Sequence, residues 1–309
     1  MAYDAIVCGA GPAGTTVASL LRGRRVAVFD SNPFYRPCGE LVLLTEAKAL
    51  GADVTHRAGA VEVRTRYGRR EFKVETAMID KAGWLRRRLA ESGAELISKA
   101  ARHPVVRGGT CYGVRADREY TASATYDCTG PARALVSHLT GASLREYASC
   151  YEETVATDGF DVPLVVYDPQ VIPGGYGWVF PRGDGTAYLG LLAWPWAGAL
   201  KERLAHLGRD LGLGDARRIE RKGSKMFLGY ARDVPVRNLL VAGEANGSCD
   251  PYTGSGIMQA VMDAEKCVRG GRRRSGFLRK ASATVLRDMH PAFLQALEAV
   301  PLPFVAYYP

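Results

Sequence analysis

The N-terminal segment contains the feature that most constrains the fold, a short apolar run followed at once by a glycine-rich turn. The run Tyr3–Cys8 is typical of a buried parallel strand, and it leads into Gly9-Ala10-Gly11-Pro12-Ala13-Gly14. In a strand–turn–helix unit the first glycine permits a tight exit from the strand, the second lets backbone N–H groups approach a pyrophosphate, and the third lets the helix pack closely. The helix predicted for residues 13–22 directs its positive N-terminal end at those phosphates.

An acidic residue follows the second predicted strand, residues 25–30 (RVAVFD). Asp30 lies about twenty residues after the first glycine, where dinucleotide-binding folds place the carboxylate that accepts hydrogen bonds from a ribose. Pro12 at the first helical position is more usual in FAD binders than in NAD binders. The segment therefore predicts a dinucleotide site, with FAD favoured, and the alternative is a purely structural turn.

Composition argues against several classes of protein. The 309 residues, 47% of them hydrophobic, suffice for a packed core. No run of about eighteen apolar residues is present, and the Met-Ala-Tyr-Asp start has no basic or apolar leader. We therefore expect neither a membrane span nor a secretion signal, and a cytoplasmic location. Seven cysteines without a CxxC pair, and without ligand-like spacing to the five histidines, argue against a metal site.

The net charge of +9 comes mostly from arginine. Runs such as 64–70 and 86–88 have no accompanying nucleic-acid motif or interleaved aromatic pattern, so we expect no nucleic-acid partner. Most of these runs are expected to be solvated faces, and peripheral contact with an anionic membrane surface is the alternative. Abundant arginine with scarce Asn and Gln is typical of a thermophilic source.

A loop rich in turn residues follows Asp30 and is expected to open a helix near residues 41–50. Loops at the carboxyl end of a nucleotide-binding sheet lie over the cofactor, which makes Cys38 and Glu40 candidate site residues. The alternative is structural: Cys38 as a small buried residue and Glu40 as a charge that complements the helix dipole.

The pattern of strands and helices predicts an α/β protein with a Rossmann-like parallel-sheet domain, interleaved with a smaller antiparallel α+β domain. A hairpin within residues 61–74, turning at Tyr67-Gly68, belongs to the second sheet. The stretch 79–85 starts a helix that runs to about Ser92, and 94–98 form a strand. A further helix is expected around 132–139, and a strand near 225–230. The predicted boundaries are 1–60, 76–140 and 236–290 for the FAD-binding domain, 61–75 and 141–235 for the substrate-binding domain, and 291–309 for a C-terminal tail.

A second strand, acid and glycine-dense loop occurs late in the chain. Residues 238–244 form a buried strand that ends at Gly243-Glu244, and the loop that follows, with Gly254 and Gly256, leads into a helix. Such a loop at a helix N-terminus is another anion-binding arrangement, and two of them suit a dinucleotide better than one.

These junctions, together with Tyr126–Gly130, resemble the FAD-binding signatures of the glutathione-reductase-like flavoproteins, in the branch shared by aromatic hydroxylases and geranylgeranyl reductases. Two further stretches are similar to the geranylgeranyl reductase family: Arg36-Pro37-Cys38-Gly39-Glu40, and Gly175-Tyr176-Gly177-Trp178-Val179-Phe180-Pro181-Arg182-Gly183-Asp184. The resemblance covers residues 1 to about 270.

The resemblance implies roles for these positions. The pyrophosphate would be bound by the turn of Gly9, Gly11, Pro12, Ala13 and Gly14, and the adenosine ribose by Asp30. Gly243 and Glu244 would bind the ribityl chain. The isoalloxazine would lie beside Cys38, Gly39 and the segment Gly254-Ser255-Gly256-Ile257. Tyr176, Trp178, Phe180 and Tyr252 would contact an isoprenoid chain. Cys38, Glu40 and an ordered water are the candidate proton donors.

The sequence departs from its relatives at several points. Thr129 stands where aromatic hydroxylases usually carry an acid, and Lys81 where members of the branch often have arginine. The chain is shorter than typical members after Gly256, so we expect a module that helps to enclose long lipids to be missing.

The resemblance implies an FAD-dependent reductase of isoprenoid (geranylgeranyl) double bonds, acting on a prenylated lipid such as an archaeal ether lipid or a polyprenyl diphosphate. The rivals are a flavin-dependent monooxygenase or halogenase of the same fold and a non-catalytic FAD- and lipid-binding carrier. No second GxGxxG after an internal strand marks an NAD(P)H domain, so ferredoxin and NAD(P)H both stay open as electron donors.

Overall fold

Two β-sheets organise the chain. The computed structural model describes residues 2–35, 38–141, 146–172, 174–194, 198–229, 233–250 and 253–270. The first of two structural units takes its described residues from Met1–Tyr35, Lys81–Glu146 and Met226–Ser282, and the second from Arg36–Asp80 and Tyr147–Lys225.

In chain order the elements are β1 (Tyr3–Cys8), α1 (Pro12–Leu20), β2 (Val26–Phe29), β3 (Leu41–Leu43), α2 (Leu44–Leu50), β4 (Val54–Thr65), β5 (Gly68–Ile79), α3 (Lys81–Ser92), β6 (Glu95–Ile97), β7 (His103–Arg107), β8 (Thr110–Arg115), β9 (Glu119–Asp127), α4 (Ser137–Thr140), β10 (Tyr147–Ala156), β11 (Leu164–Tyr167), β12 (Gly175–Pro181), β13 (Thr186–Ala193), α5 (Leu200–Asp210), β14 (Arg218–Phe227), β15 (Leu239–Val241) and α6 (Ile257–Val268). Two 3₁₀ turns, Gly130–Ala132 and Gly243–Asn246, follow β9 and β15.

The first unit contains a seven-stranded sheet with a parallel centre. β1 pairs in parallel with β2 and β9, β2 with β6, and β15 with β9, while β7, β8 and β9 continue as an antiparallel meander. Because β1 is central, Ile6 packs into the apolar cluster on one side of the sheet and Val7 into the cluster on the other. Helices α1 and α6 supply Val17 and Ala264 to the second cluster.

The second unit contains an eight-stranded sheet in the order β14-β10-β13-β12-β11-β4-β5-β3. All described pairings in it are antiparallel except that of β11 with β4. Leu204 and Leu207 of α5 join a buried cluster with Leu189 and Leu191 of β13. Successive side chains of a strand point to opposite faces of the sheet. The residues of β12 and β13 that alternate with these core residues therefore face the other side of the sheet, where the aromatic residues lie.

The predicted α/β fold class is confirmed, with one parallel-centred sheet and one largely antiparallel sheet. The hairpin turning near Tyr67 is confirmed and is longer than expected. Residues 41–60 contribute β3 and β4 to the second sheet, although we placed them with the cofactor domain, because Leu41 pairs with Met78 and Val63 with Arg70 of β5.

Three local predictions are wrong. Residues 41–50 are not one helix, since Leu41–Leu43 pairs as β3 before α2 begins. The strand expected near 225–230 begins at Arg218. No continuous helix spans 132–139, because the Asp127 carboxylate accepts the N–H groups of Leu135 and Val136 that a helix would use.

In the described part of the chain, no helix is both long and apolar enough to cross a bilayer. The predicted site residue Tyr252, the loop residues Arg36 and Pro37, and the C-terminal tail 291–309 lie outside the described residues.

Candidate functional site

The glycines of the first turn differ in what surrounds them. Gly9 has a φ of 103°, and a Cβ there would lie 2.3 Å from the Cys128 carbonyl oxygen. A Cβ at Gly14 would lie 1.8 Å from the Gly9 carbonyl oxygen. Gly11 instead faces open space, with no heavy atom within 4 Å of its Cβ position. Two glycines therefore close the turn, and the third leaves room for a group outside it.

The N-terminus of α1 is suited to an anion. Gly11 is the N-cap, no side chain caps the helix, and its first turn contains no acidic residue. The backbone N–H of Ala10 donates a 2.8 Å hydrogen bond to Asp30 Oδ2, and that of Asn32 a 2.9 Å bond to Oδ1. Asp30 thus lies beside the turn, as the ribose-binding prediction requires.

A fully buried carboxylate organises the loop after β9. Asp127 accepts hydrogen bonds from the Thr129 hydroxyl at 2.6 Å and the Thr129 N–H at 3.1 Å. Its other oxygen accepts the N–H groups of Leu135 and Val136 at 2.9 and 3.0 Å. Thr129 therefore has a structural role in fixing this loop.

The late glycine junction lies against the first turn. Gly243 has a φ of 71°, and a Cβ there would lie 2.6 Å from the Ala13 Cβ. Its N–H donates a 2.9 Å hydrogen bond to Asp263 Oδ2 on α6, and Asn246 Nδ2 donates to both oxygens of the same carboxylate. α1 and α6 are thereby held at the carboxyl ends of β1 and β15.

Glu244 and Arg133 both contact Phe227. The Glu244 carboxylate accepts a 2.8 Å hydrogen bond from the Phe227 N–H. The Arg133 guanidinium stacks 4.2 Å from the centroid of the Phe227 ring and donates to the Ala245 carbonyl at 3.0 Å. Sequence reasoning missed Arg133, which is 2% exposed and has a φ of 47°, because it belongs to no motif.

The loop before α6 is folded on itself. Asp250 Oδ1 accepts the N–H and the hydroxyl of Thr253 at 2.8 and 3.1 Å, and Gly254 has a φ of 70°. Gly256 is the N-cap of α6, whose first turn contains no acid and no side-chain cap. This helix N-terminus is a second place that suits an anion or a flavin edge.

These observations together fit a dinucleotide cofactor. Two helix N-termini without acidic residues, the open space at Gly11 and the acid at Asp30 all belong to the first unit. The contacts of Gly9 with Cys128 and of Gly243 with Ala13 bring all three predicted junctions together within that unit.

The second unit presents a row of aromatic rings on one face of its sheet. Tyr176, Trp178 and Phe180 alternate along β12, with ring centroids 5.8 and 5.9 Å apart, and Tyr167 of β11 lies 5.6 Å beyond Tyr176. Trp178 is buried, whereas Tyr176 and Phe180 are partly exposed. These four residues define what we call the aromatic face, an apolar surface on this side of the second sheet.

Gly190 and Glu152 set the position of the Trp178 ring. Gly190 pairs with Trp178 across β12 and β13, and a Cβ there would lie 2.3 Å from the indole carbons. The indole therefore lies over the glycine and donates a 3.3 Å hydrogen bond to Glu152 Oε2 on β10. Glu152 is 3% exposed, so this hydrogen bond helps to satisfy a buried carboxylate.

The loop that contains the candidate residues Cys38 and Glu40 packs beside the aromatic face. A Cβ at Gly39 would lie 2.9 Å from two carbons of the Phe180 ring and 3.7 Å from Trp178 Nε1. Glu40 Oε2 accepts a 3.0 Å hydrogen bond from the Tyr188 hydroxyl. The structure thus brings the predicted cysteine-containing loop and the predicted aromatic segment together within the second unit.

The acidity of several groups follows from their surroundings. Burial, and then the nearby Glu40, raises the pKa of the Tyr188 phenol well above its ordinary value. Burial likewise raises the pKa of the Cys8 and Cys128 thiols. No disulfide joins the seven cysteines, and no cluster in the described residues has the His, Cys, Asp and Glu ligands for a metal ion.

Comparison with known proteins places these features in context. No protein-family profile matches the chain. The chain is 27% identical to the digeranylgeranylglycerophospholipid reductase of Haloferax volcanii, covering 93% of this chain and 78% of that protein. It is 28% identical to the geranylgeranyl diphosphate reductase of Rhodobacter capsulatus, covering 97% of this chain and 80% of that protein. The chain is thus similar to geranylgeranyl reductases over most of its length.

The solved structures agree on the fold. A geranylgeranyl bacteriochlorophyll reductase-like protein from Thermoplasma acidophilum superposes with a TM-score of 0.78 at 17% identity, covering 96% of this chain and 84% of that chain. The flavin-dependent brominase Bmp2 superposes with a TM-score of 0.69 at 16% identity, covering 96% and 85%. At these identities the likeness shows a shared fold, that of flavin-dependent enzymes, and the reductase and halogenase branches both use it.

Proposed function

We propose that this relative of the geranylgeranyl reductases is an FAD-dependent reductase that saturates isoprenoid double bonds of a prenylated lipid. The observation that carries the proposal is the extent of the similarity, which covers 93% and 97% of the chain in the two relatives. It therefore includes the aromatic face as well as the glycine turn. A dinucleotide turn by itself would leave the reaction open.

The first unit would hold FAD. Gly9, Gly11 and Gly14 would bind the pyrophosphate with the N–H groups at the start of α1, and Asp30 would accept the ribose hydroxyls. Gly243, Glu244 and the segment 254–257 would bind the ribityl chain and the edge of the flavin. The two uncapped helix N-termini supply positive ends for the phosphates and for negative charge on a reduced flavin.

When bound, reduced FAD supplies a hydride. The residues of the second unit would bind the apolar chain and exclude water. An isoprenoid has no carbonyl group to polarise, so the aromatic face acts by packing and orientation rather than by charge. Tyr176, Trp178 and Phe180 are proposed as its contact residues, together with Tyr252.

Cys38 and Glu40 are the proposed catalytic residues because their loop packs beside the aromatic face, with Gly39 on Phe180 and Glu40 on Tyr188. Either side chain, in its protonated form, can deliver a proton to a carbon atom of the bond being reduced. The Glu40 carboxyl is the better placed of the two, since Tyr188 fixes its orientation.

A monooxygenase or halogenase is the main rival, because a brominase shares the fold. A non-catalytic FAD- and lipid-binding carrier is the second. Thr129, bound to Asp127, gives no acid where aromatic hydroxylases usually carry one, which favours the reductase.

Peripheral membrane contact is part of the proposal. The tip of the β4–β5 hairpin exposes Tyr67, which is 60% exposed, between the exposed Arg66 and Arg69. An aromatic ring among cations suits an anionic lipid surface. The electron donor would be ferredoxin or NAD(P)H.

Product analysis under nitrogen tests the function. The purified flavoprotein, reduced with dithionite, is incubated with geranylgeranyl diphosphate or a geranylgeranylated glycerol phosphate, and the lipid is analysed by mass spectrometry. The proposal predicts a gain of two hydrogen atoms per double bond without oxygen. Turnover of an aromatic substrate that requires oxygen would support the monooxygenase or halogenase, and bound flavin with no product would support the carrier.

A further inference from the structure

We infer that Tyr188 is a positioning residue that holds the Glu40 carboxyl group at the aromatic face, in the orientation from which Glu40 delivers the proton for alkene reduction. The inference rests on the proposed function and adds a residue and a role to it. Tyr188 lies outside every motif of the sequence, on β13, directly opposite Phe180.

The first argument is the backbone of Glu40. Its φ is 54°, in the left-handed region that residues with side chains seldom adopt. Its carbonyl accepts a 3.2 Å hydrogen bond from the Ile79 N–H, and the preceding Gly39 packs against Phe180. A strained conformation persists only when its surroundings fix it, and such residues concentrate at functional sites.

The second argument is the Tyr188 hydroxyl. Tyr188 is 4% exposed, and its hydroxyl donates a 3.0 Å hydrogen bond to Glu40 Oε2. The phenol keeps its proton throughout the physiological range because burial and the neighbouring Glu40 disfavour its ionised form. It is therefore a permanent donor to this carboxyl group, whichever protonation state Glu40 has.

Other charged groups surround the pair. The Arg182 guanidinium lies 4.9 Å from the centroid of the Tyr188 ring, and Lys222 Nζ lies 5.6 Å from it. Glu152, on the adjacent strand β10, also acts electrostatically on Tyr188. The contacts of Arg182 and Lys222 therefore help to hold the Tyr188 ring.

The step balances in atoms and electrons. Bound reduced flavin would supply a hydride, with its electron pair, to one alkene carbon, and the Glu40 carboxyl proton would go to the neighbouring carbon. The C=C π bond and the Glu40 O–H bond break while two C–H bonds form. Glu40 is left as a carboxylate, which Tyr188 stabilises by its hydrogen bond until solvent returns the proton.

Tyr188→Phe tests the inference, because it deletes one hydroxyl and keeps the ring. Tyr151→Phe is the matched control: Tyr151 lies on β10 of the same sheet and donates to Glu153 at 3.4 Å, but its ring packs in the cluster on the opposite face. Glu40→Gln is the second variant, which retains an acceptor and removes the acid.

Two measurements are made on each protein. The first is the rate at which N-ethylmaleimide alkylates Cys38, followed by peptide mass spectrometry without flavin; the Glu40 N–H lies 3.5 Å from Cys38 Sγ, so the thiol reports on this loop. The second is the anaerobic rate of flavin reoxidation by geranylgeranyl diphosphate.

We expect Tyr188→Phe to change Cys38 alkylation severalfold and to slow reoxidation about tenfold or more. Glu40→Gln, which has no acid, should slow reoxidation at least as much. Tyr151→Phe changes neither measurement.

Unchanged Cys38 alkylation and an unchanged rate of flavin reoxidation in Tyr188→Phe would overturn the inference. If wild-type flavin is not reoxidised by the prenyl substrate, the proposed function fails. In that case the alkylation rate still decides whether Tyr188 holds the loop, and the proton-delivery role falls with the function.

Discussion

The glycine turn of the first unit and the aromatic face of the second unit both depend on glycine, but for opposite reasons. In the turn, Gly9 and Gly14 are required because backbone atoms approach to 2.3 and 1.8 Å of their Cβ positions. On the aromatic face, Gly39 and Gly190 make room for the rings of Phe180 and Trp178. Backbone geometry thus builds the proposed cofactor site, whereas side-chain packing builds the proposed substrate surface.

The comparison predicts its largest effect within the turn itself. Gly14→Ala places a Cβ 1.8 Å from the Gly9 carbonyl oxygen, and we expect it to lower the free energy of unfolding by about 3 kcal/mol or more. Gly11→Ala meets no atom within 4 Å, so it should fold normally and lose bound FAD. Thermal unfolding and visible absorbance separate the two outcomes. Full flavin content in Gly11→Ala would argue against a pyrophosphate at this turn.

The corresponding change on the aromatic face is Gly190→Ala. The added Cβ would lie 2.3 Å from the Trp178 ring and must displace it, so we expect prenyl reduction to fall about tenfold to a hundredfold. Flavin content should not change. Gly59→Ala on β4 of the same sheet, where no atom lies within 4 Å, is the control and should keep full activity. Equal activity in the two variants would show that the position of the Trp178 ring does not affect prenyl reduction.

A smaller effect is expected from the hydrogen bond between Trp178 and Glu152. Trp178→Phe removes the indole donor from a buried carboxylate and should lower the free energy of unfolding by about 2 kcal/mol. Glu152→Gln keeps an acceptor for the indole and should cost less. Denaturant unfolding of the two variants measures the difference. A larger loss in Glu152→Gln would show that the charge of Glu152, rather than this hydrogen bond, matters.

The smallest expected effect is a change in the thermal stability of the first unit at alkaline pH. Burial raises the pKa of Tyr126 to about 12, whereas the unfolded phenol titrates near 10. The folded state therefore keeps a proton that the unfolded state loses. This contribution to stability is complete below pH 10 and decreases as the pH rises toward 12. Tyr126→Phe should show a weaker decline in Tm over this range than wild type, and an identical decline would contradict the assignment.

The two regions also differ in how far the sequence predicts them. The turn was predictable residue by residue, because GxGxxG fixes backbone geometry at a known spacing from Asp30. The aromatic segment 175–184 was predicted only through its resemblance to a family. Its partners Tyr188, Gly190 and Glu152 come from other strands, and strand order cannot be read from local spacing.

Two of the errors in the predicted elements share one physical cause. Leu41–Leu43 forms a strand because β5 pairs with it, and residues 132–139 break their helix because Asp127 captures the N–H groups of Leu135 and Val136. In both cases a hydrogen-bonding partner outside the segment overrode the local preference of the segment for helix. Glu40 was predicted as a candidate from its loop, but its hydrogen bond with Tyr188 spans 148 positions of the chain.

The most direct test is an anaerobic single-turnover experiment on wild type and Gly190→Ala. Each protein, loaded with FAD and reduced with dithionite, is mixed with geranylgeranyl diphosphate or with oxygen in a stopped-flow instrument. The account predicts that the prenyl substrate reoxidises wild-type flavin, that the Gly190→Ala rate is at least about tenfold lower, and that the oxygen rates are equal. Equal prenyl rates in the two proteins, or no reoxidation of wild-type flavin by the prenyl substrate, would contradict it.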